Sequence, residues 1–302
     1  MYAVFGNPIG HSLSPYLINK LLNISCSKIS LGKSFDKKAL LDLLEKRKIH
    51  YGNVTYPYKK IFFDYSDSLK FPADKIFSIN AFTYKDNKII STNTDGEGFF
   101  LAIYFSNFKI YKKLINNKVI LIAGTGSTAK SIAFSAKIRG ITPIFISRKK
   151  NLNQNGIKII IDYKRGLELI MKNHNHVIAS TLPFSVLSII FNNELEKEKI
   201  INSKENIFTE DGSDDEENSI DIFKFFNYAY EKRIIIFDSN YKNYLSIKKA
   251  GLNINLNDNL FDGLYQFIGQ GLLSIHFFTG KNFMNKRIID QMKDQLINES
   301  LR

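Results

Sequence analysis

The sequence predicts an α/β protein of two domains, and three observations predict it. Short apolar runs alternate with amphipathic segments through the first hundred residues. A buried-type run near residue 119 leads into a glycine turn and a second series of alternations, and the last sixty residues read as helices. At 302 residues the chain is long enough to bury two cores, and its hydrophobic fraction of 44% is that of an ordinary globular protein.

In the first unit, Tyr2–Phe5 is expected as a strand. Pro15–Leu22 follows as a helix opened by Ser14-Pro15, because proline suits a first helical turn and serine an N-cap. Lys28–Leu31 reads as the second strand, Lys37–Lys46 as an amphipathic helix and Gly52–Thr55 as the third strand. Within Ala81–Thr92, two β-rich runs flank Lys85-Asp86-Asn87, a turn signal that marks a hairpin.

The second unit starts near residue 118. Val119–Ala123 is a strand, Gly124-Thr125-Gly126-Ser127-Thr128-Ala129 a turn, Ala129–Ile138 a helix and Thr142–Ile146 the next strand. A lone GxGxxA is a weak signal, but a strand before it and a helix after it supply the context of a nucleotide-binding βαβ unit. Gly124 permits the tight turn, Gly126 lets a pyrophosphate approach the backbone, and Ala129 allows close helix packing. Strand candidates at Ile157–Ile161, Val177–Ser180 and Arg233–Phe237 fit a parallel sheet covered on both faces, as in a Rossmann domain. The acidic stretch Glu210–Glu217 lacks the spacing of a calcium loop and reads as a solvated insertion. Helices over Phe261–Phe278 and Arg287–Leu296 close the chain, and there is no internal repeat.

The net charge of +13 is spread along the chain and no finger, basic-zipper or RNP1 pattern accompanies it, which argues against a nucleic-acid partner. Anionic small molecules would still profit from that field. The single Cys26 has no CxxC partner, so it is expected in the core, with neither a disulfide nor a thiolate metal site. No metal is implied. No run of about 18 apolar residues occurs, and the N-terminus lacks a secretory pattern, so the expectation is a cytoplasmic protein without a membrane partner.

Three motifs then appear in a characteristic order: Gly6-Asn7-Pro8-Ile9-Gly10-His11-Ser12-Leu13-Ser14-Pro15, Asn53-Val54-Thr55-Tyr56-Pro57-Tyr58-Lys59 and Asn93-Thr94-Asp95-Gly96-Glu97-Gly98-Phe99. Together they resemble the substrate-domain motifs of the shikimate dehydrogenase family. The glycine turn, and Asp262-Gly263-Leu264 followed by Gln270, extend the resemblance over nearly the whole chain. It implies a substrate-binding α/β domain from residues 1–100 and 242–302, a Rossmann NADP(H)-binding domain from 101–241, and C-terminal helices packing back on the first domain. The implied reaction is the reversible NADPH-dependent reduction of 3-dehydroshikimate to shikimate, a step of chorismate and aromatic amino acid biosynthesis.

Reduction of a ketone builds charge on its oxygen, so a proton donor must lie within reach. By the resemblance Lys59 is that donor and Asp95 its carboxylate partner; taken singly, Lys59 would read as half of a solvated Lys59-Lys60 doublet and Asp95 as a helix cap. Ser12 and Ser14 are placed at the substrate carboxylate beside a helix N-terminus, although Ser14 reads equally well as an N-cap. Thr55, Asn80, Asn93, Tyr241 and Gln270 match substrate contacts, with a plain helix surface as the alternative for Gln270. Gly124, Thr125, Gly126, Ser127, Thr128, Ala129 and Gly263 fall to the cofactor. After Thr142–Ile146 stand Ser147, Arg148 and Lys149, where a NAD enzyme would carry an acidic residue; cations there suit a 2′-phosphate and select NADP(H).

The chain departs from the family pattern at several positions. Ile18-Asn19 stands for His-Asn, Phe77-Ser78-Ile79 for Gly-Ala-Val before Asn80, and Ala81 for Thr. Ser147 stands for Asn, Ala179-Ser180-Thr181 for Asn-Ala-Thr, Asn243 for Pro and Gln266 for Met. Two alternatives are a quinate/shikimate dehydrogenase and a non-catalytic NADP-binding paralogue. Methylenetetrahydrofolate dehydrogenase shares the architecture but lacks the three motifs. Oligomeric state is left open, a homodimer included.

Overall fold

In the computed structural model, residues 1–32, 35–147, 160–182, 216–241, 245 and 259–301 are described. Two six-stranded sheets organise them. In the first, β1 (Tyr2–Phe5) lies between β2 (Cys26–Ile29) and β3 (Tyr51–Val54), both parallel to it. β3 pairs antiparallel with β5 (Ala81–Lys85), which forms a hairpin with β6 (Lys88–Thr92), and the short β4 (Ser68–Leu69) closes the edge. The hairpin turns at Asp86 and Asn87, both left-handed with φ of 51° and 57°, the conformation a tight two-residue turn demands.

The second sheet is wholly parallel. Its strands are β7 (Val119–Ala123), β8 (Thr142–Ile146), β9 (Ile160–Ile161), β10 (Val177–Ser180), β11 (Ile235–Asp238) and β12 (Leu260–Phe261). Their spatial order, β9-β8-β7-β10-β11-β12, is the doubly wound 3-2-1-4-5-6 arrangement, which reverses direction between β7 and β10. A ligand crevice belongs at the carboxyl ends of those two strands. Gly124 sits there with φ +104°, and a Cβ on it would lie 2.6 Å from Thr181 Oγ1.

The described helices are α1 (Ser14–Leu22), α2 (Lys37–Lys46), α3 (Lys59–Tyr65), α4 (Ala73–Ile76), α5 (Asp95–Ser106), α6 (Phe108–Asn117), α7 (Ser127–Ile138), α8 (Tyr163–Lys172), α9 (Glu216–Glu231), α10 (Leu264–Thr279) and α11 (Lys286–Leu301). α10 returns to the first sheet, where Phe278 stacks on Tyr51 at 5.5 Å, and Gly271 lets it approach Leu17 of α1. α5 is clamped on two sides. A Cβ on Gly96 would meet the Ser131 carbonyl of α7 at 2.2 Å, and one on Gly269 of α10 would meet the Gly98 carbonyl at 2.8 Å. Two glycines in a first helical turn cost helix stability, roughly 1 kcal/mol each against alanine. Close backbone approach is what they give in return, and it plants the start of α5 between the two halves of the molecule.

Several sequence expectations need correction. Ser14 is not an N-cap: Leu13 holds that position, and Ser14 is the first helical residue. Asp95 likewise lies inside its helix, after Thr94. β2 begins two residues early, at Cys26, because its edge position tolerates the polar Ser27 and Lys28. Phe261 pairs in β12 rather than opening the first of the two C-terminal helices, α10, which starts only after Gly263. Arg233 is left-handed and precedes its strand. Glu216 and Glu217 open α9, while 210–215 lie outside the described residues. No helix among the described residues is long and apolar enough to cross a membrane.

Candidate active site

Lys59 opens α3 directly after the turn at Tyr56-Pro57, and Asp95 opens α5 after β6. The two starts face each other: Lys59 Nζ lies 2.5 Å from Asp95 Oδ2, and the side chains are only 15% and 10% exposed. The neighbouring lysine points the other way, since Lys60 pairs with Asp64 at the surface. A solvated doublet therefore does not describe Lys59.

Asp95 is held through both oxygens. Asn80 Nδ2 donates to Oδ1 at 2.7 Å, and Thr128 Oγ1 donates to Oδ2 at 3.4 Å. The orientation of the Asn80 amide is itself fixed, because its Oδ1 accepts the Thr94 N–H at 2.8 Å. Gln270 reaches the same cluster from α10, its Oε1 accepting from Asn80 Nδ2 at 3.1 Å, so an ordinary helix surface is not its setting. Asn93 Oδ1 accepts the Asp95 N–H at 3.0 Å and the Ser131 hydroxyl at 2.8 Å. Lys59, Asp95, Asn80, Asn93 and Gln270 thus form one hydrogen-bonded group.

Ser12, Ser14 and Tyr241 form a second. Ser12 Oγ accepts the Ser14 N–H at 3.3 Å at the mouth of α1, and both serines are buried. Burial pushes the Tyr241 phenol up to about 12, offset in part by a hydrogen bond with the Leu13 main chain. It stays protonated at neutral pH and available as a donor. Its ring packs on Phe267 at 4.6 Å. Thr55 directly follows β3, with its methyl against Gly6.

The glycine turn carries the features that a dinucleotide needs. Gly124 N–H donates to Ile146 O at 3.0 Å, tying the ends of β7 and β8 together. A Cβ on Gly126 would meet nothing within 4 Å, so open space adjoins the turn there. α7 starts at Ser127 with no side-chain cap, leaving first-turn N–H groups to receive an anion, and Ala129 is buried against the sheet. Thr125 and Ser147 flank this space at the carboxyl ends of β7 and β8. A Cβ on Gly263, the cap of α10, would lie 2.7 Å from the Ser239 carbonyl and 2.8 Å from that of Asp238, so no side chain has room there. Arg148 and Lys149 lie outside the described residues. Among the described residues no group of three or more His, Cys, Asp or Glu could hold a metal ion.

Sequence reading missed the support beneath the pair. Asn53 Nδ2 donates to the Asn80 carbonyl at 2.8 Å and to Ser274 Oγ at 3.0 Å, and the buried Tyr2 phenol donates to Asn53 Oδ1 at 2.9 Å. Asn53 and Thr94 lie inside the sequence motifs but draw no role there, and Ser274, one helical turn after Gln270, carries no signal of its own.

Residues 4–82 match the family model described as the shikimate dehydrogenase substrate binding domain. The chain is 36% identical over 166 residues to a shikimate dehydrogenase (NADP(+)) of Pelagibacter ubique, which covers 52% of this chain and 59% of that protein. It is 31% identical over 182 residues to a shikimate dehydrogenase (NADP(+)) of Bacillus mycoides, covering 57% and 64%. The matched region thus spans less than two thirds of the length of these curated relatives. Among solved structures, shikimate dehydrogenase 1 from Peptoclostridium difficile superposes with a TM-score of 0.66 at 22% identity, covering 100% of this chain and 99% of that one. The shikimate dehydrogenase from Aquifex aeolicus gives 0.68 at 22% identity, covering 96% of each. At that identity the likeness is one of fold, and it bears out the two-domain α/β architecture; the sequence matches bear out the family resemblance carried by the three motifs.

Proposed function

We propose that this chain, with its resemblance to the shikimate dehydrogenase family borne out, is an NADP(H)-dependent shikimate dehydrogenase that interconverts 3-dehydroshikimate and shikimate in the cytoplasm. The observation that carries the reading is the Lys59–Asp95 ion pair, whose partners open two helices 36 residues apart in the chain and close at 2.5 Å beside the helix that opens at the glycine turn. We assign residues 1–100 and 242–302 to the substrate domain and 101–241 to the cofactor domain.

In this reading the Lys59 ammonium donates a proton to the ring carbonyl oxygen as that oxygen becomes a hydroxyl, and takes it back in the reverse direction. Asp95 keeps the ammonium in place, and Asn80 keeps Asp95 from rotating. Asn80, Asn93, Thr55 and Gln270 supply fixed amide and hydroxyl partners for the ring hydroxyls, and buried amides left without a partner penalise substrates lacking those groups. Ser12 and Ser14 hold the carboxylate at the start of α1, whose N–H groups and dipole favour an anion, with the Tyr241 phenol alongside. When bound, the dihydronicotinamide supplies the hydride. Gly124, Thr125, Gly126, Ser127, Thr128 and Ala129 would hold the pyrophosphate, Gly263 would face the nicotinamide end, and Ser147, Arg148 and Lys149 would hold the 2′-phosphate. Charge supports an anionic cofactor: not one Asp or Glu interrupts residues 98–161.

Initial rates with shikimate and with quinate, each with NADP and with NAD, test the reading. Shikimate with NADP is expected to be fastest. A preference for quinate moves the assignment to a quinate/shikimate enzyme, and NADPH binding with no turnover of either acid overturns it in favour of a binding paralogue.

A further inference from the structure

Besides presenting the glycine turn, α7 is hydrogen-bonded to the segment before Asn80 and to the start of α5, which carries Asp95, and three hydroxyls make the connection. Ser127 Oγ bonds Ser78 Oγ, two residues before Asn80. Thr128 Oγ1 donates to Asp95 Oδ2. Ser131, buried to 1% exposure, accepts the Gly96 N–H at 2.8 Å and donates to Asn93 Oδ1 at 2.8 Å. The Gly96 amide is one of the first N–H groups of α5, which have no partner inside the helix. Asn93 Oδ1 in turn receives the Asp95 N–H. Ser131 therefore governs the amides on both sides of the Asp95 Cα, directly at Gly96 and through Asn93 at Asp95 itself.

We infer that Ser131 is a positioning residue for the proton-transfer pair, fixing the first turn of α5 so that the Asp95 carboxylate faces Lys59, with Thr128 as a second hold on that carboxylate. The inference rests on the proposed role of Asp95. It makes the helix that borders the cofactor turn also the support of the catalytic carboxylate. The coupling is separable from bulk packing, because the backbone contact at Gly96 and the two hydrogen bonds between Arg139 and Glu97 join α5 to α7 without the Ser131 hydroxyl.

Ser131→Ala removes the hydroxyl and little volume. The expected result is a kcat about tenfold lower, with the KM for shikimate and the calorimetric dissociation constant for NADP within about twofold of the parent, the pattern of a group whose contribution appears in the transition state. Thr128→Val is expected to lower kcat as well, and Thr128→Ser, which keeps the donor, to recover most of the loss. An unchanged kcat in both Ser131→Ala and Thr128→Val overturns the inference, as does a parallel loss of kcat and NADP affinity in Ser131→Ala, which would confine α7 to cofactor binding. Two signals read the connection without turnover: the Gly96 amide, expected to shift and exchange faster in Ser131→Ala, and the Asp95 carboxyl carbon, expected to shift in both variants. If the parent lacks shikimate turnover, the proposed function fails alone; the inference then falls only if both signals stay where they were.

Discussion

Asn80 and Lys59 grip opposite oxygens of the Asp95 carboxylate, the amide at 2.7 Å on Oδ1 and the ammonium at 2.5 Å on Oδ2. A carboxylate bonded on one side can swing about its terminal torsion; bonded on both, it cannot follow one partner without leaving the other. The ammonium is thereby delivered to one place, and proton transfer depends on that placement.

Replacing Lys59 by alanine should lower kcat by about 10²- to 10⁴-fold, the usual worth of a positioned proton donor. Substrate affinity should stay near the parent value, since the lost interaction strengthens only as the carbonyl oxygen gains charge. Steady-state rates with shikimate and NADP, together with a direct binding isotherm, check both halves. Loss of affinity equal to the loss of kcat would make Lys59 a substrate anchor instead.

For Asn80→Ala the expectation is mixed. The buried Thr94 N–H loses its acceptor and Asp95 Oδ1 loses a donor, each an unpaired buried group worth about 1–3 kcal/mol, so both stability and turnover should fall. Asn80→Asp keeps an acceptor for Thr94 but places a second acid against Asp95; it should fold better than the alanine variant and turn over worse than the parent. Denaturant unfolding and kcat on the same preparations separate the two effects, and a fully active alanine variant would remove Asn80 from the site.

How far the sequence reveals this arrangement depends on the kind of signal. Strands such as Val119–Ala123 and Val177–Ser180 match their observed bounds because buried parallel strands read as near-continuous apolar runs. Helices α6, α8 and α9 escaped the sequence reading, although α6 and α8 are amphipathic; no motif draws the eye to them. The pair itself was legible through its flanking motifs, not through Lys59 or Asp95 alone. Ser131, Ser274 and Tyr2 were not legible, because a hydroxyl inside a helix or strand looks the same whether it serves the backbone or a neighbour far along the chain. Ser274 meets Asn53 across 221 positions, and only the fold states that distance.

Two glycines that look alike in sequence should behave in opposite ways. Gly96→Ala drives a Cβ to 2.2 Å from the Ser131 carbonyl, a backbone atom that cannot step aside, so α5 and α7 must separate and the variant should lose several kcal/mol or fail to fold. Gly126→Ala meets nothing within 4 Å and has φ −70°, so its melting temperature should match the parent. If the turn cradles a pyrophosphate, that same substitution should raise the dissociation constant for NADP by about tenfold, since the added methyl occupies the approach that only glycine leaves open. Melting curves with and without NADP check this; equal ligand stabilisation in parent and Gly126→Ala would move the cofactor elsewhere.

The bidentate contact between Glu97 and Arg139, at 2.6 and 2.8 Å, predicts a pH signature in stability. Burial by itself would push the Glu97 carboxyl up, but the two hydrogen bonds and the charge of Arg139 outweigh it and hold the carboxyl below its ordinary value of 4.5. A carboxyl depressed in the folded state binds its proton more readily when unfolded. The stabilisation is therefore complete above pH 4.5 and disappears as the pH falls through the lowered folded value. Because the pair is partly exposed, salt should weaken it. Melting temperatures of the parent and of Glu97→Gln should differ at neutral pH and converge below pH 4.5. A gap that persists unchanged to pH 3 would assign the stabilisation to the shape of the contact rather than to its charge.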